Sequence, residues 1–298
     1  MSRALINDRI DHFRDFGIWP RVQELNAEQW LGNFAEHELF IAERLLSHFT
    51  YFNRTMTDAL LKQAIQNFLT SKWLVADFGQ PPSSADLSSV RFVVSEGEDP
   101  NATDSGNLFA RKLRDIIRIP EVYIRTPEKA LREASAAKHF VFVDDFVGSG
   151  NQFIATIERQ YSNTGKYSSF EQLLATPGYS ISYCPCVATA YAQHQRIAVR
   201  FPTINLFPAH LLTSSHNCTL PSSRVWHGMS SGDLTTALSS LRAISLRAGF
   251  SEDDGGQDSW HGFHRLGLSL AFDHGIPDAS LPIFFSERNG WKPLIGRA

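Results

Sequence analysis

The chain has only three cysteines in 298 residues, Cys184, Cys186 and Cys218, too few for a disulfide framework and an odd number for pairing. A reducing compartment is the expected setting. No stretch approaches the roughly 18 to 20 apolar residues needed to cross a bilayer. The first residues, MSRALINDRIDHFRDFG, are charged throughout and lack an apolar run followed by a small-residue cleavage site. A cytoplasmic protein with no membrane partner is expected. Long Lys/Arg runs are missing too, and with a formal net charge of -3 there is no electrostatic case for duplex nucleic acid or an anionic lipid surface. Internal repeats and low-complexity tracts are absent. What is present is a 43% hydrophobic composition, ordinary for a globular core.

The period of the apolar residues divides the chain. Residues 1–78 read as a helical extension: NAEQWLGNF opens with Asn26 and Gln29 in capping-box spacing, EHELFIAERLLSHF sets Leu39, Ala42, Leu46 and Phe49 on one face, and TDALLKQAIQNFLTSKW fits a further helix. GQPPSSADLSS, 79–89, reads as a linker. Residues 79–207 then alternate: strand VRFVV, a polar loop, helix LFARKLRDIIRI, a brief strand EVYIR, helix TPEKALREASAA, strand HFVFV, helix NQFIATIERQY, strand YSISYCPCVAT, a short helical piece AYAQHQR, and a strand in VRFPTINLF. Strands separated by helices imply an α/β fold with a mostly parallel sheet. Residues 208–298 carry a helix, SGDLTTALSSLRAISLRAGF, a strand, LGLSLAF, and a tail rich in Pro, Gly and aromatics that reads as extended over a surface.

The stretch FVFVDDFVGSGNQF concentrates the chemistry. Parallel sheets bind ligands beyond the carboxyl ends of their strands, and here a strand runs into a turn and a helix start. Gly148 and Gly150 leave backbone N–H groups unobstructed, and the following helix adds its unpaired N–H groups and positive dipole end. Ser149 supplies a hydroxyl, and Asn151 either caps the helix or donates from its amide. Together these make a cradle for a phosphate. Beside it Asp144 and Asp145 suit sugar hydroxyls or a divalent cation brought by the ligand. Two carboxylates next to a phosphate cradle describe a ribose 5-phosphate site. The simpler alternative, a solvent-facing turn after an apolar strand, needs all these features to coincide without purpose.

This stretch resembles the signature of type I phosphoribosyltransferases, in which an apolar strand, two acidic residues, two mostly apolar residues and a small residue precede Thr-Gly-x-Thr. Asp144 and Asp145 match the acidic pair, Phe146 and Val147 the apolar pair, Gly148 the small residue, Ser149 the first Thr and Gly150 the Gly; Gln152 departs from the terminal Thr. The resemblance implies that Asp144 and Asp145 hold the ribose hydroxyls of 5-phosphoribosyl 1-diphosphate, or of a ribonucleotide, with Mg2+, and that Gly148 to Gln152 hold the 5′-phosphate. It also implies the fold of that class, with the C-terminal part completing the sheet and forming a hood over the site. The family's diphosphate loop would fall on SEGEDPNATDSGN, which carries Glu96, Glu98, Asp99 and Asp104 and no Lys or Arg before Arg111. Thr103, Ser105, Gly106, Arg111 and Lys112 are the candidates for a diphosphate or second anion contact there.

The order of helical extension, core and the ending HGIPDASLPIFFSERNGWKPLIGR is similar to divergent phosphoribosyltransferase-like proteins of bacterial conflict and anti-phage systems. That likeness implies a defence role beside a sensor protein. Two functions remain open, an enzyme of pentosyl transfer or hydrolysis and a sensor that keeps the cradle without the chemistry; the intact acidic pair favours the first, the acidic loop and Gln152 the second. The acceptor and the oligomeric state are not legible. Cys184 and Cys186 in YCPC lack a second Cys/His pair with zinc-like spacing and read as core residues. His261, His264, Asp273 and His274 fit no standard ligand spacing, though His274 is the first choice for a base-side contact if the tail covers the cradle. Trp226, Trp260 and Trp291 read as packing residues before stacking ones.

Overall fold

The computed structural model describes residues 3–73, 87–97, 105–162, 164–252, 256 and 259–296. Most of the linker read over 79–89 and residues 98–104 of the acidic loop, Thr103 among them, lie outside that set. The chain forms two compact units, residues 1–56 together with 213–298, and residues 57–212.

In chain order the elements used below are α1 (Arg3–Asp15), α2 (Ala27–Leu31), α3 (Leu39–Ser47), β1 (Thr50–Phe52), α4 (Arg54–Trp73), β2 (Val90–Val94), α5 (Ser105–Lys112), β3 (Ile124–Arg125), α6 (Pro127–Arg132), β4 (His139–Val147), α7 (Asn151–Glu158), α8 (Phe170–Leu174), β5 (Ser180–Thr189), α9 (Ala198–Arg200), β6 (Asn205–Leu206), β7 (His210–Leu212), α10 (Ser231–Arg247) and β8 (Leu270–Phe272).

The unit of 57–212 holds a six-stranded sheet of order β3-β2-β4-β5-β6, with β7 beside β5. Every pairing in it is parallel. Helices cover both faces of such a sheet, so its central strands are apolar without alternation, and β4 follows the rule: Phe140, Val141, Phe142 and Val143 are all buried. Phe142 meets Phe153 of α7 and Phe170 of α8 edge-on, at centroid distances of 5.4 and 5.0 Å. The first strand, β2, has the second, β3, on one side and the third, β4, on the other. Strand order therefore reverses between β2 and β4, the switch point at which a doubly wound sheet opens a crevice.

The α/β class expected from the sequence is the one observed, but the chain divides elsewhere than at 78 and 207. Helix α4 belongs with the sheet: Phe68 packs edge-on against Phe207 at 5.7 Å, Asn67 Nδ2 donates to the Pro208 carbonyl at 3.1 Å, and Asp58 forms an ion pair with Lys112. Of the described residues after 207, only His210–Leu212 extend this sheet. The other C-terminal strand, β8, pairs in parallel with β1 in a separate two-stranded sheet.

The unit of 1–56 and 213–298 is built around the segment read as a surface tail. Leu281, Ile283 and Phe284 are fully buried. The Ile283 carbonyl accepts from the indole N–H of both Trp30 and Trp291, at 2.7 and 2.9 Å. Phe284 stacks on Trp30 at 5.5 Å and meets Phe49 at 5.0 Å. Pro and Gly break the tail into short turns, and Phe284, Phe285 and Trp291 point inward from it, a pattern that resembles a surface segment when only regular periodicity is sought. Trp226 and Trp260 are buried in the same core.

Phe284→Ala should remove about 3–5 kcal/mol from this unit, the usual cost of emptying a core Phe site. Phe16→Ala, at a ring 71% exposed, should stay within about 0.5 kcal/mol. Chemical denaturation followed by tryptophan fluorescence checks the contrast.

Candidate active site

The β2–β4 register brings the acidic pair to the crevice. Val90 lies beside His139 and Val94 beside Val143. β2 ends there while β4 runs on through Asp144, Asp145, Phe146 and Val147, paired now with β5 alone, Asp144 beside Pro185 and Val147 beside Ala188. The strand read as HFVFV thus runs four residues further, through Val147, before the turn.

Asp144 is buried, at 3% exposure, on the side of Phe140 and Phe142 where Tyr183 also lies. The Tyr183 hydroxyl donates to Asp144 Oδ2 at 3.0 Å, and the Asp145 backbone N–H donates to Asp144 Oδ1 at 3.1 Å. Burial, reinforced by the neighbouring Asp145 charge, pushes the Asp144 carboxyl well above the usual range, and the Tyr183 hydrogen bond offsets only part of this. Burial and the Asp144 charge likewise push the Tyr183 phenol up. Asp145 is half-buried, and its Oδ1 accepts from the Phe146 N–H at 2.8 Å. The two acidic residues are therefore not equivalent: one sits inside with its carboxyl pushed up by burial, the other is half-buried beside it.

The glycine turn follows at once. Gly150 has φ +82, which favours glycine, and precedes α7 as its N-cap; a Cβ there would meet Ile197 Cγ1 at 3.1 Å, so Ile197 would have to shift to admit one. Ser149 is buried, and its Oγ accepts from the Asn151 N–H at 3.3 Å. Asn151 is the first residue of α7 and does not cap it; its Oδ1 accepts from Arg196 Nη2 at 2.8 Å. The Thr189 hydroxyl donates to the Gly148 carbonyl and accepts from the Ala192 N–H at 3.0 Å. The end of β5 and the π-helical turn Tyr191–Ile197 thus clamp the cradle. Phe146 and Gln152 are half-buried beside it, and Val147 anchors it in the core.

Across the crevice, the end of β2 is latched to α7. Glu96 accepts from Arg159 Nη1 and from the Tyr161 hydroxyl, each at 3.0 Å, and Arg159 Nη2 donates to the Gly97 carbonyl at 2.8 Å. The acidic loop therefore has a cation after all, supplied by a residue more than sixty positions away. Helix α5 starts against the same strand end. A Cβ on Gly106 would stand 1.8 Å from the Ser95 carbonyl oxygen, so Gly106 serves this close approach. Lys112 is buried and paired with Asp58, and its ammonium lies 5.6 Å from the centre of the Phe109 ring. Arg111 is exposed and faces a different recess, beyond β3. Ser105 opens α5. Of the sequence candidates, the structure assembles Asp144 to Gln152 into one site and leads Lys112 and Arg111 away from each other.

His274 belongs to the other unit, where its Nδ1 lies 3.1 Å from Asp273 Oδ1 and its ring 5.4 Å from Phe272. Cys184, Cys186 and Cys218 are buried free thiols, each pushed up by burial. Sequence reading missed Tyr183, Thr189, Arg159 and Arg196, because their roles come from strand register and a helical turn, and no local motif marks them.

A reversed strand order, an acidic pair and a glycine cradle at the end of the third strand define a phosphoribosyltransferase-like protein. The family model PRTase-CE matches residues 27–297, and the chain belongs to that family. No curated protein matches it. Among solved structures, the chain is similar to the AQ2163 protein from Aquifex aeolicus at 11% identity, over 72% of this chain and 86% of that one, with a TM-score of 0.32.

The raised Asp144 carboxyl carries a sign. A carboxyl whose folded value lies above its unfolded value of about 3.9 lends stability that is complete below that pH and is lost as pH rises through the folded value. Asp144→Asn has no proton to lose. The melting temperature of Asp144→Asn relative to wild type should therefore climb from pH 4 to pH 8, read by scanning calorimetry at constant ionic strength.

Proposed function

We propose that the crevice between β2 and β4 binds the ribose 5-phosphate portion of 5-phosphoribosyl 1-diphosphate or of a ribonucleotide, and that the protein is an enzyme of pentosyl transfer. The observation that carries this reading is the convergence, at one switch point, of the acidic pair, the glycine turn and the start of α7. The N–H groups of Gly148 to Gln152 and the dipole of α7 receive the 5′-phosphate. Arg196, holding Asn151, adds positive charge next to that cradle. Asp145 accepts from a ribose hydroxyl. Asp144, fixed by Tyr183, takes the second ribose hydroxyl.

Among the described residues no cluster of three His, Cys, Asp or Glu side chains could hold a metal ion by itself. The acidic pair fits Mg2+ only as an ion arriving with its ligand's oxygens. When bound, Mg2+ supplies positive charge to the diphosphate leaving group. The chain's own contribution is to position the sugar and to set the Asp145 carboxylate near the ring as positive charge develops at its anomeric carbon.

A sensor that binds the same ligand without turnover is the second reading. The engagement of Lys112 by Asp58 favours it, since a cation read as a leaving-group contact is already paired. A role in anti-phage defence with a controlling sensor partner is proposed on the sequence resemblance alone. Among the described residues no helix is long and apolar enough to cross a membrane.

Calorimetric titration with 5-phosphoribosyl 1-diphosphate should give Mg2+-dependent binding that falls at least about tenfold, roughly one hydrogen bond to a charged group, in Asp144→Asn/Asp145→Asn. Released diphosphate identifies the enzyme and binding without release the sensor; equal binding by the folded double variant contradicts both.

A further inference from the structure

A second recess opens on the far side of β2 from the acidic pair, between α5, β3 and α6, with a volume of about 570 Å³. That lies within the roughly 300–1,000 Å³ of small-molecule sites. Its charged lining is Arg111 and Arg114 from α5, Arg125 from β3, Lys129 from α6, and the carboxylates Glu121 and Glu133. Four cations thus face two carboxylates, and the carboxylates are already committed. Glu133 receives Arg125 at 2.6 Å and Arg91 as well, and Glu121 lies 3.8 Å from Arg114. Among the described residues neither the Arg111 guanidinium nor the Lys129 ammonium makes a hydrogen bond or a close ion pair, and both are exposed.

We propose that this recess is a binding site for a small molecule carrying two or more phosphoryl groups, of the nucleoside polyphosphate class, separate from the ribose-phosphate crevice. The cations stand on different walls, so they suit a chain of phosphates better than a single one. Guanidinium groups match phosphate oxygens in pairs of hydrogen bonds, and an ammonium adds a compact charge. Val94 and Ile124 add an apolar surface in the same recess. Arg114 is also held by Asp115 at 2.7 Å, and Asp115 feels the Arg111 charge; the positive charge that remains, on Arg111 and Lys129 above all, raises the local concentration of anions in a concave site. The inference does not depend on what the crevice binds.

Inorganic tripolyphosphate, titrated calorimetrically without Mg2+ into the full chain, tests it. Wild type should bind, Arg111→Ala/Lys129→Ala should bind at least tenfold more weakly, and Asp144→Asn/Asp145→Asn should bind as wild type does. Saturating ribose 5-phosphate should not compete. Lys62→Ala/Lys292→Ala, which removes the same charge from two other exposed positions, should bind as wild type does. Absence of binding by wild type, an unchanged affinity in folded Arg111→Ala/Lys129→Ala, an equal loss in Lys62→Ala/Lys292→Ala, or displacement by ribose 5-phosphate would each overturn the proposal.

Discussion

The register between β2 and β4 is the constraint on which the site depends. Because Val94 lies beside Val143 and β2 stops there, the last four residues of β4 have a neighbour on one side only. A strand buried on both faces has no room for a polar pair in its middle; at an end that overshoots its partner, carboxylates can meet both the core and the crevice. A slip of one residue would turn Asp144 away from Tyr183 and send Phe142 off the face it shares with Phe153 and Phe170. The phenylalanine packing and the carboxylate placement are consequences of a single alignment.

That placement has an electrostatic cost. A buried carboxylate loses several kcal/mol of hydration that a pair of neutral hydrogen bonds restores only in part. Burial accordingly pushes the Asp144 carboxyl up, and the Tyr183 hydroxyl donates to it. Ring stacking of Tyr183 on Phe153 at 4.0 Å holds the phenol in position and links the inner carboxyl to α7, the helix whose start forms the cradle. The inner and outer aspartates thus differ in solvation, and an account of ribose binding that treats them alike would miss this.

Much of the fold was legible in the sequence where the local pattern determined the outcome. The unbroken apolar run HFVFV read as a buried strand, and the glycines after VDDFV as a turn into a helix. The two glycines later called upon by the structure illustrate the boundary. Gly150 was recognisable because its turn is local; Gly106 was read as an anion contact because its neighbour, the Ser95 carbonyl, is eleven residues away and pressed against it by tertiary packing. The same holds for Lys112, a surface cation by helical position that α4 buries, and for Glu96, whose charge is answered by Arg159. The C-terminal tail was misread for a related reason: its core residues follow neither a helical nor a strand period, so nothing short of the contact of Trp30 and Trp291 with one carbonyl reveals them as interior.

The central claim is that backbone N–H groups at the end of β4 receive the ligand's phosphate. The most direct measurement is the amide chemical shifts of residues 148–152 in isotopically labelled protein during titration with ribose 5-phosphate. The account predicts saturable shifts concentrated at Gly148, Ser149, Gly150 and the first residues of α7. Saturable binding whose shifts fall elsewhere and leave these five amides unmoved would contradict it.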